Sequence, residues 1–180
     1  MVSKALQLEG EKIFLRRLSE ADATPAYVSW LNDPEVNQYL ESRFITQTLE
    51  GVKEYIRSTN QDQRTVFLAI ARKDTGKHIG NIKLGPIDPH HKHGEIGIMI
   101  GDKASWGQGI ATEAIQLLVN YAFTVLGLHK LSAGAYAGNL GSVKSFLKVG
   151  FTQEGQLRQH YRSGEEYVDA IQMGLVNTTS

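Results

Sequence analysis

A strand-like run that hands over to a helix through two closely spaced glycines constrains this chain more than any other feature. Gly94-Glu95-Ile96-Gly97-Ile98-Met99-Ile100 reads as a β-strand, and residues 111–125 carry the apolar spacing of an amphipathic helix. Between them stands Trp106-Gly107-Gln108-Gly109-Ile110-Ala111-Thr112-Glu113-Ala114. The first N–H groups of a helix have no intrahelical partner and sit at the positive end of its dipole, which suits a phosphate or pyrophosphate. Glycine at 107 and 109 lets the main chain approach such an anion with no Cβ in the way. The turn therefore predicts a phosphorylated ligand held by backbone.

Composition narrows the classes around that turn. Lysine plus arginine equals aspartate plus glutamate, 19 each, so no general field recruits nucleic acid or an anionic membrane. Cysteine is absent, which excludes disulfides, thiolate metal sites and cysteine nucleophiles. No apolar run approaches the roughly 20 residues of a membrane span, and the first residues lack the apolar stretch of a secretion signal. The expectation is a cytoplasmic protein with one domain over residues 11–176.

Periodicity and turn residues then order the elements. Residues 12–18 read as a strand, and Ser19-Glu20-Ala21-Asp22 has capping-box spacing for a helix through Leu31 that Asn32-Asp33-Pro34 stops. A short helical piece is expected over 35–40 and a longer helix over 48–58, where Leu49, Val52, Tyr55 and Ile56 recur at helical spacing. Strands over 65–71 and 78–84 form a hairpin about Asp74-Thr75-Gly76. After the glycine turn and its helix, a strand over 130–136 leads to a helix capped by Asn139 and ended by Gly150. Two strands, 151–161 and 165–175, close the chain. The fold class is α/β (α+β), a mixed, mostly antiparallel sheet of about seven strands flanked by about four helices.

Three phosphate-binding patterns compete for the turn. A Walker A loop requires Gly-Lys-Ser/Thr, which is missing, and a dinucleotide fingerprint requires a third glycine within a βαβ unit. The segment instead resembles motif A of the GNAT N-acetyltransferases, Arg/Gln-x-x-Gly-x-Gly/Ala, with Gly109 and Ala111 at its last two positions. Trp106 replaces the Arg or Gln, as in the RimJ/RimL-like branch, whose pattern is Trp-Gly-x-Gly-x-Ala-Thr-Glu-Ala. Asn139-Leu140-Gly141-Ser142 and Lys148-Val149-Gly150-Phe151 resemble that family's motif B, and the likeness runs from about Leu15 to Leu175.

The resemblance implies acetyl-CoA as cofactor and co-substrate. Its pyrophosphate would rest on the amides of about Gln108, Gly109, Ile110, Ala111 and Thr112, with Gly107 also at the cofactor, and its pantetheine arm on the strand edge at Ile98, Met99 and Ile100. Asn139 would touch the arm, and Ser142 would protonate the leaving thiolate, with Tyr136 as a competitor for that role. Local reasoning also makes Asn139 and Ser142 an N-cap and a first-turn residue. Lys144 and Lys148 would reach the adenosine phosphate, or stand as solvated lysines.

Transfer to an amine needs that amine neutral. An α-amine of pKa about 7.7–8.0 is roughly 10–20% neutral at pH 7, and a lysine of about 10.4 is neutral under ~0.1% of the time. A base is therefore expected, and Glu95 matches the strand glutamate that many GNAT enzymes use; a structural carboxylate is its other reading. In the RimL type, a glutamate nineteen residues after the motif-B serine is the base. Here that position is Tyr161, preceded by His160, which could substitute. His90-His91-Lys92-His93 lacks helical His-x-x-x-His spacing, so no metal is expected.

The acceptor is written less clearly. Trp30-Leu31-Asn32-Asp33-Pro34-Glu35-Val36 is similar to a segment of GNAT proteins of amino-sugar and surface-polysaccharide pathways, and also to the looser Trp-x-x-Asp-x-x-Val element of the RimJ/RimL-like branch. Tyr39, Glu41 and Arg43 follow it, and with His160 they are the candidate substrate contacts. The expected acceptor is a small-molecule or amino-sugar amine, with a protein N-terminal amine as the alternative. A non-catalytic acyl-CoA-binding module is the reading from another class. No nucleic-acid or membrane partner is expected, and a homodimer is possible.

Overall fold

The computed structural model describes residues 6–178, which form one eight-stranded sheet in the order β1-β2-β3-β4-β5-β6-β8-β7. The strands are β1 (Gln7–Glu9), β2 (Ile13–Arg17), β3 (Val66–Arg72), β4 (His78–Leu84), β5 (His93–Ile100), β6 (Lys130–Tyr136), β7 (Thr152–Ser163) and β8 (Glu166–Val176). Five helices accompany them: α1 (Pro25–Asn32), α2 (Pro34–Asn37), α3 (Leu49–Gln61), α4 (Ile110–Thr124) and α5 (Leu140–Val149). The expected seven strands thus gain a short β1 against β2, and the four helices become five.

Alternation along the strands gives the sheet two apolar faces. Val66, Leu68, Ile70, Ile82, Leu84, Ile96, Leu131 and Ala133 point to one face and pack with α4 and α5 through Ala114, Ile115, Leu118 and Phe146. Phe67 and Ala69 point to the other, where Leu18, Tyr27, Val52 and Ile56 bring α1 and α3 against it. β3 is buried on both faces, which explains its unbroken apolar run.

Local signals set the helix ends. Thr24 caps α1 by accepting from the Tyr27 N–H at 3.3 Å, and Pro25 starts it. The Ser19–Asp22 capping box is present, but it closes a single 3-10 turn, and α1 begins only after it. A half-buried ion pair accompanies the detour: Asp22 accepts from Arg16 at 2.6 and 2.8 Å and from the Ser19 N–H at 2.8 Å. Past Asn37 the expected helix gives way to a 3-10 turn over Glu41–Phe44.

The feature that makes a site is a split in the sheet. β5 and β6 run parallel, but only from His93↔Lys130 to Glu95↔Ser132. Beyond that β5 stays with β4 as far as Ile100, and β6 stays with β8 as far as Tyr136. The two halves therefore part like the arms of a V, leaving the inner edge of β5 open.

Candidate active site at the split of the sheet

A cavity of about 450 Å³ occupies the split on the α4–α5 side. Its wall includes Ile98, Met99, Ile100, Gly107, Gly109, Ile110, Ala111, Thr112, Asn139, Ser142 and Lys144. Residues separated by more than 40 positions in sequence, all expected to meet one ligand, thus share one surface. Gln108 is set apart: its side chain donates to the Ala104 carbonyl at 2.6 Å and accepts from Arg72 at 3.1 Å, and its carbonyl accepts from Lys12 at 3.0 Å. It anchors the loop from outside.

The glycine turn has the backbone that anion binding requires. Gly107 and Gly109 lie at φ 72° and 80°, in the left-handed region. Gly109 is the N-cap of α4, with no side chain to cap the helix. The first intrahelical bond runs from Glu113 N–H to the Gly109 carbonyl at 3.0 Å. The N–H groups of Ile110, Ala111 and Thr112 precede that bond and border the cavity. A phosphate there would meet three unspent donors at the positive end of a 15-residue helix.

Register decides what the open strand edge offers. Gly85 N–H donates to the Glu95 carbonyl, and Gly101 N–H to the Ile79 carbonyl, so Leu84↔Ile96 and Gly80↔Ile100 are non-hydrogen-bonded pairs. Met99 and Gly97 consequently spend their backbone groups on β4. Ile98 and Ile100 turn theirs toward the gap. The Ile100 carbonyl accepts from Trp106 Nε1 at 2.8 Å, which explains the tryptophan where the family pattern has Arg or Gln.

Asn139 caps α5 through its Oδ1, which accepts from the Ser142 N–H at 3.2 Å. Ser142 lies half-buried in the first turn of α5, on the cavity wall. Tyr136 does not line this cavity. Its hydroxyl donates to Glu41 at 2.7 Å, and its ring stacks on Tyr161 at 4.1 Å. Burial, reinforced by that bond to Glu41, holds its pKa above the usual phenol value.

A second cavity, of about 630 Å³, opens on the α1–α3 side. It shares Leu40, Ile98 and Met99 with the first, so the two meet at the split in the sheet. Its walls are Tyr27, Leu31, Phe44, Ile45, Val52 and Phe67, with Glu41, Tyr55, Asn81, Lys83 and Gly97 among them. Sequence reading named Glu41 here and missed the strand residues. Their signal is polar Asn81 and Lys83 alternating with Ile79, Ile82 and Leu84 on one strand.

The remaining expected contacts lie near these cavities without sharing one. Tyr39 lines the first cavity and donates to the Gly138 carbonyl at 3.2 Å. Arg43 donates to the Leu40 and Arg162 carbonyls at 2.9 and 2.8 Å and lies over the Phe44 and Tyr136 rings, tying the 3-10 turn to the β7–β8 hairpin. His160 is exposed and meets Tyr161 edge-on at 4.8 Å. Glu95 is exposed on the same sheet face as Gly97 and Met99, with Tyr161 nearby across Gly134. The Tyr161 hydroxyl is pushed up by burial and by the charges of Glu41 and Glu95.

The Trp30 segment is explained by structure. Trp30 packs so closely on Gly101 that a Cβ there would collide with the indole. Asp33 caps α2, and Lys103 pairs with Asp33 and Glu35 at 2.7 Å each. The segment clamps the α1–α2 corner to the loop leading into the glycine turn. In the histidine loop, Asp88 accepts from the His90 and His91 N–H groups at 2.8 Å. Among the described residues, no group of three or more His, Cys, Asp or Glu is placed to hold a metal. No described helix is long and apolar enough to cross a membrane.

A helix N-terminus presenting bare N–H groups, an open strand edge beside it and a second cavity meeting that edge thus gather at one split in the sheet. The chain belongs to the GNAT acetyltransferase family, whose domain model matches residues 12–152. The uncharacterized N-acetyltransferase YoaA of Bacillus subtilis (strain 168) is 32% identical over 163 residues, covering 89% of this chain and 91% of that protein. The spermidine N(1)-acetyltransferase of Escherichia coli (strain K12) is 34% identical over 98 residues, covering 54% of this chain and 52% of that one. In fold, the chain is similar to RimL, a ribosomal L7/L12 α-N-protein acetyltransferase solved with coenzyme A, at TM-score 0.85 and 18% identity, covering 95% of this chain and 98% of that one.

Proposed function

We propose that this protein transfers acetyl from acetyl-CoA directly to the primary amine of a small molecule. The observation that carries the reading is the meeting of the two cavities at Leu40, Ile98 and Met99. A thioester arriving along β5 and an amine arriving from the other face would come together there.

The amine nitrogen attacks the thioester carbonyl, the C–N bond forms, and the C–S bond breaks. The thiolate takes a proton, and the nitrogen gives one up. Ser142 is the donor of the first proton, because it borders the carrier cavity while the Tyr136 hydroxyl is spent on Glu41. Glu95 receives the second through water, as the family pattern implies. Glu41 is the rival base, since it is the carboxylate that lines the acceptor cavity. Pyrophosphate rests on Ile110, Ala111 and Thr112, and the pantetheine amides pair with Ile98 and Ile100. Lys144 faces the same cavity and reaches the adenosine phosphate. The residues present need no metal for this chemistry.

The likeness of the Trp30 segment to GNAT proteins of amino-sugar pathways makes an amino sugar one candidate among small amines. A protein N-terminal amine is the second reading, favoured by the exposed apolar rim of Phe44 and Ile45 at the acceptor mouth. The protein is expected to work in the cytoplasm, with a homodimer possible. Release of free thiol from acetyl-CoA, assayed over amines, amino sugars and N-terminal peptides, tests the reading. A rise with one acceptor class is expected; acetyl-CoA binding with a flat response throughout would make this an acyl-CoA-binding module.

A further inference from the structure

The acceptor cavity has an unspent polar pattern on an apolar background. His78 Nε2 lies 2.9 Å from the Gly80 carbonyl and 2.9 Å from Asn81 Oδ1. A carbonyl can only accept, so Nε2 carries the proton, and the Asn81 atom facing it must be the oxygen. Asn81 Nδ2 is then the donor of that amide, in a side chain that borders the cavity. It is buried with no partner, in a residue only 4% exposed. Two positions on, Lys83 points from the same strand face. Its ammonium donates to the Tyr55 hydroxyl at 3.1 Å and has no carboxylate within 4 Å among the described residues.

Two cross-strand neighbours leave room beside these donors. Lys83 pairs with Gly97 and Asn81 with Met99, and all four border the cavity. A Cβ at Gly97 would meet nothing within 4 Å, so the space over that glycine is open. The cavity's carboxylate, Glu41, comes from the 3-10 turn and adjoins Leu40, one of the residues shared with the carrier cavity. Negative charge thus stands next to the meeting point, and positive charge stands on β4. Between them the walls are aliphatic and aromatic, and Phe44 and Ile45 at the rim are 60% and 69% exposed.

We propose that the acceptor is a free α-amino acid with an apolar side chain, its amine beside Glu41 and its carboxylate on Lys83 and Asn81. The inference rests on the acetyl-transfer reading and names its substrate. A polyamine would bring several positive charges to a cavity that presents an ammonium of its own. An amino sugar would bury hydroxyls against Leu31, Val52 and Phe67 with few partners. An apolar zwitterion satisfies both charges and the orphaned amide, and it directs its nitrogen to the junction.

The test is thiol release from acetyl-CoA with L-leucine, L-phenylalanine, leucinamide, a leucine-initiated peptide, spermidine and glucosamine, on the wild type and on Lys83→Met. The free acids are expected to exceed leucinamide in kcat/KM by at least about tenfold, the scale of a hydrogen bond to a charged group. Lys83→Met should bring that ratio to about one, with calorimetric CoA affinity showing that fold and donor site survive. Preference for spermidine, glucosamine or the peptide, or an acid-to-amide ratio that outlives Lys83→Met, overturns the inference and leaves the transferase standing. Silence from every amine while acetyl-CoA binds overturns both.

Discussion

The two cavities that meet at the split sheet are built by opposite means. The carrier side is made largely of main chain: three helix N–H groups, two left-handed glycines and the open edge of β5. The acceptor side is made of side chains gathered from α1, the 3-10 turn, α3 and β3–β5. Backbone recognition needs only a few residue types at fixed spacing, so one short turn can specify it. Side-chain recognition is spread from Tyr27 to Met99, and its exposed members can change without disturbing the fold.

Breaking the carrier side should give the largest effect. Gly109→Asp forces a side chain into φ 80° and sets a negative charge against the expected pyrophosphate. CoA affinity, read by calorimetry, should fall by at least about a hundredfold; wild-type affinity would remove the phosphate from this turn. Next comes Ser142→Ala, with a loss in kcat of about 10² at pH 7, the lower end for general acids. The loss should shrink as pH rises past the thiol's own pKa of about 8.5, where the leaving group needs no proton. A deficit constant with pH would make Ser142 a first-turn residue of α5 and nothing more.

Gly97→Val separates the two sides. It fills open space on the acceptor face and leaves the Ile98 and Ile100 edge on the other. Acceptor kcat/KM should drop about tenfold while CoA affinity holds, a split of roughly 1.4 kcal/mol confined to one substrate. Equal losses for both ligands would mean that the cavities are not separate. For the base, Glu95→Gln should flatten the acid limb of the pH–kcat/KM profile. If Glu41→Gln flattens it instead, the role passes to the carboxylate lining the acceptor cavity.

The smallest effect concerns the frame under the acceptor side. Burial opposes ionisation of Asp22, but the Arg16 bond and the Ser19 N–H outweigh it and hold the carboxyl below its usual value. A depressed carboxylate stabilises the fold above its unfolded pKa, about 3.9, and that contribution is lost as pH falls through the lower folded value. Arg16→Met should cost about 1–2 kcal/mol at pH 7, allowing for an arginine 32% exposed, and the deficit should narrow below pH 4. Thermal melts at pH 7 and pH 3.5 read this directly, and equal deficits at both would dissociate the pair from stability.

The same contrast explains what could be read from sequence. The β6 limits, the Asn139 cap and the Gly150 stop were legible because each rests on local chemistry. The three-residue β1 gives no periodicity to detect, and the capping box misled because Asp22 also answers to Arg16. Tyr39 and Arg43, expected as substrate contacts, make hydrogen bonds that tie loops together. Asn81, Lys83 and Gly97 escaped because their meaning arises only when β4 and β5 are laid in register.

A crystal structure with CoA bound should show pyrophosphate on the N–H groups of Ile110, Ala111 and Thr112, pantetheine paired with Ile98 and Ile100, and sulfur where Leu40 and Met99 border both cavities. CoA seated in the acceptor cavity, or pyrophosphate away from the start of α4, would contradict this placement.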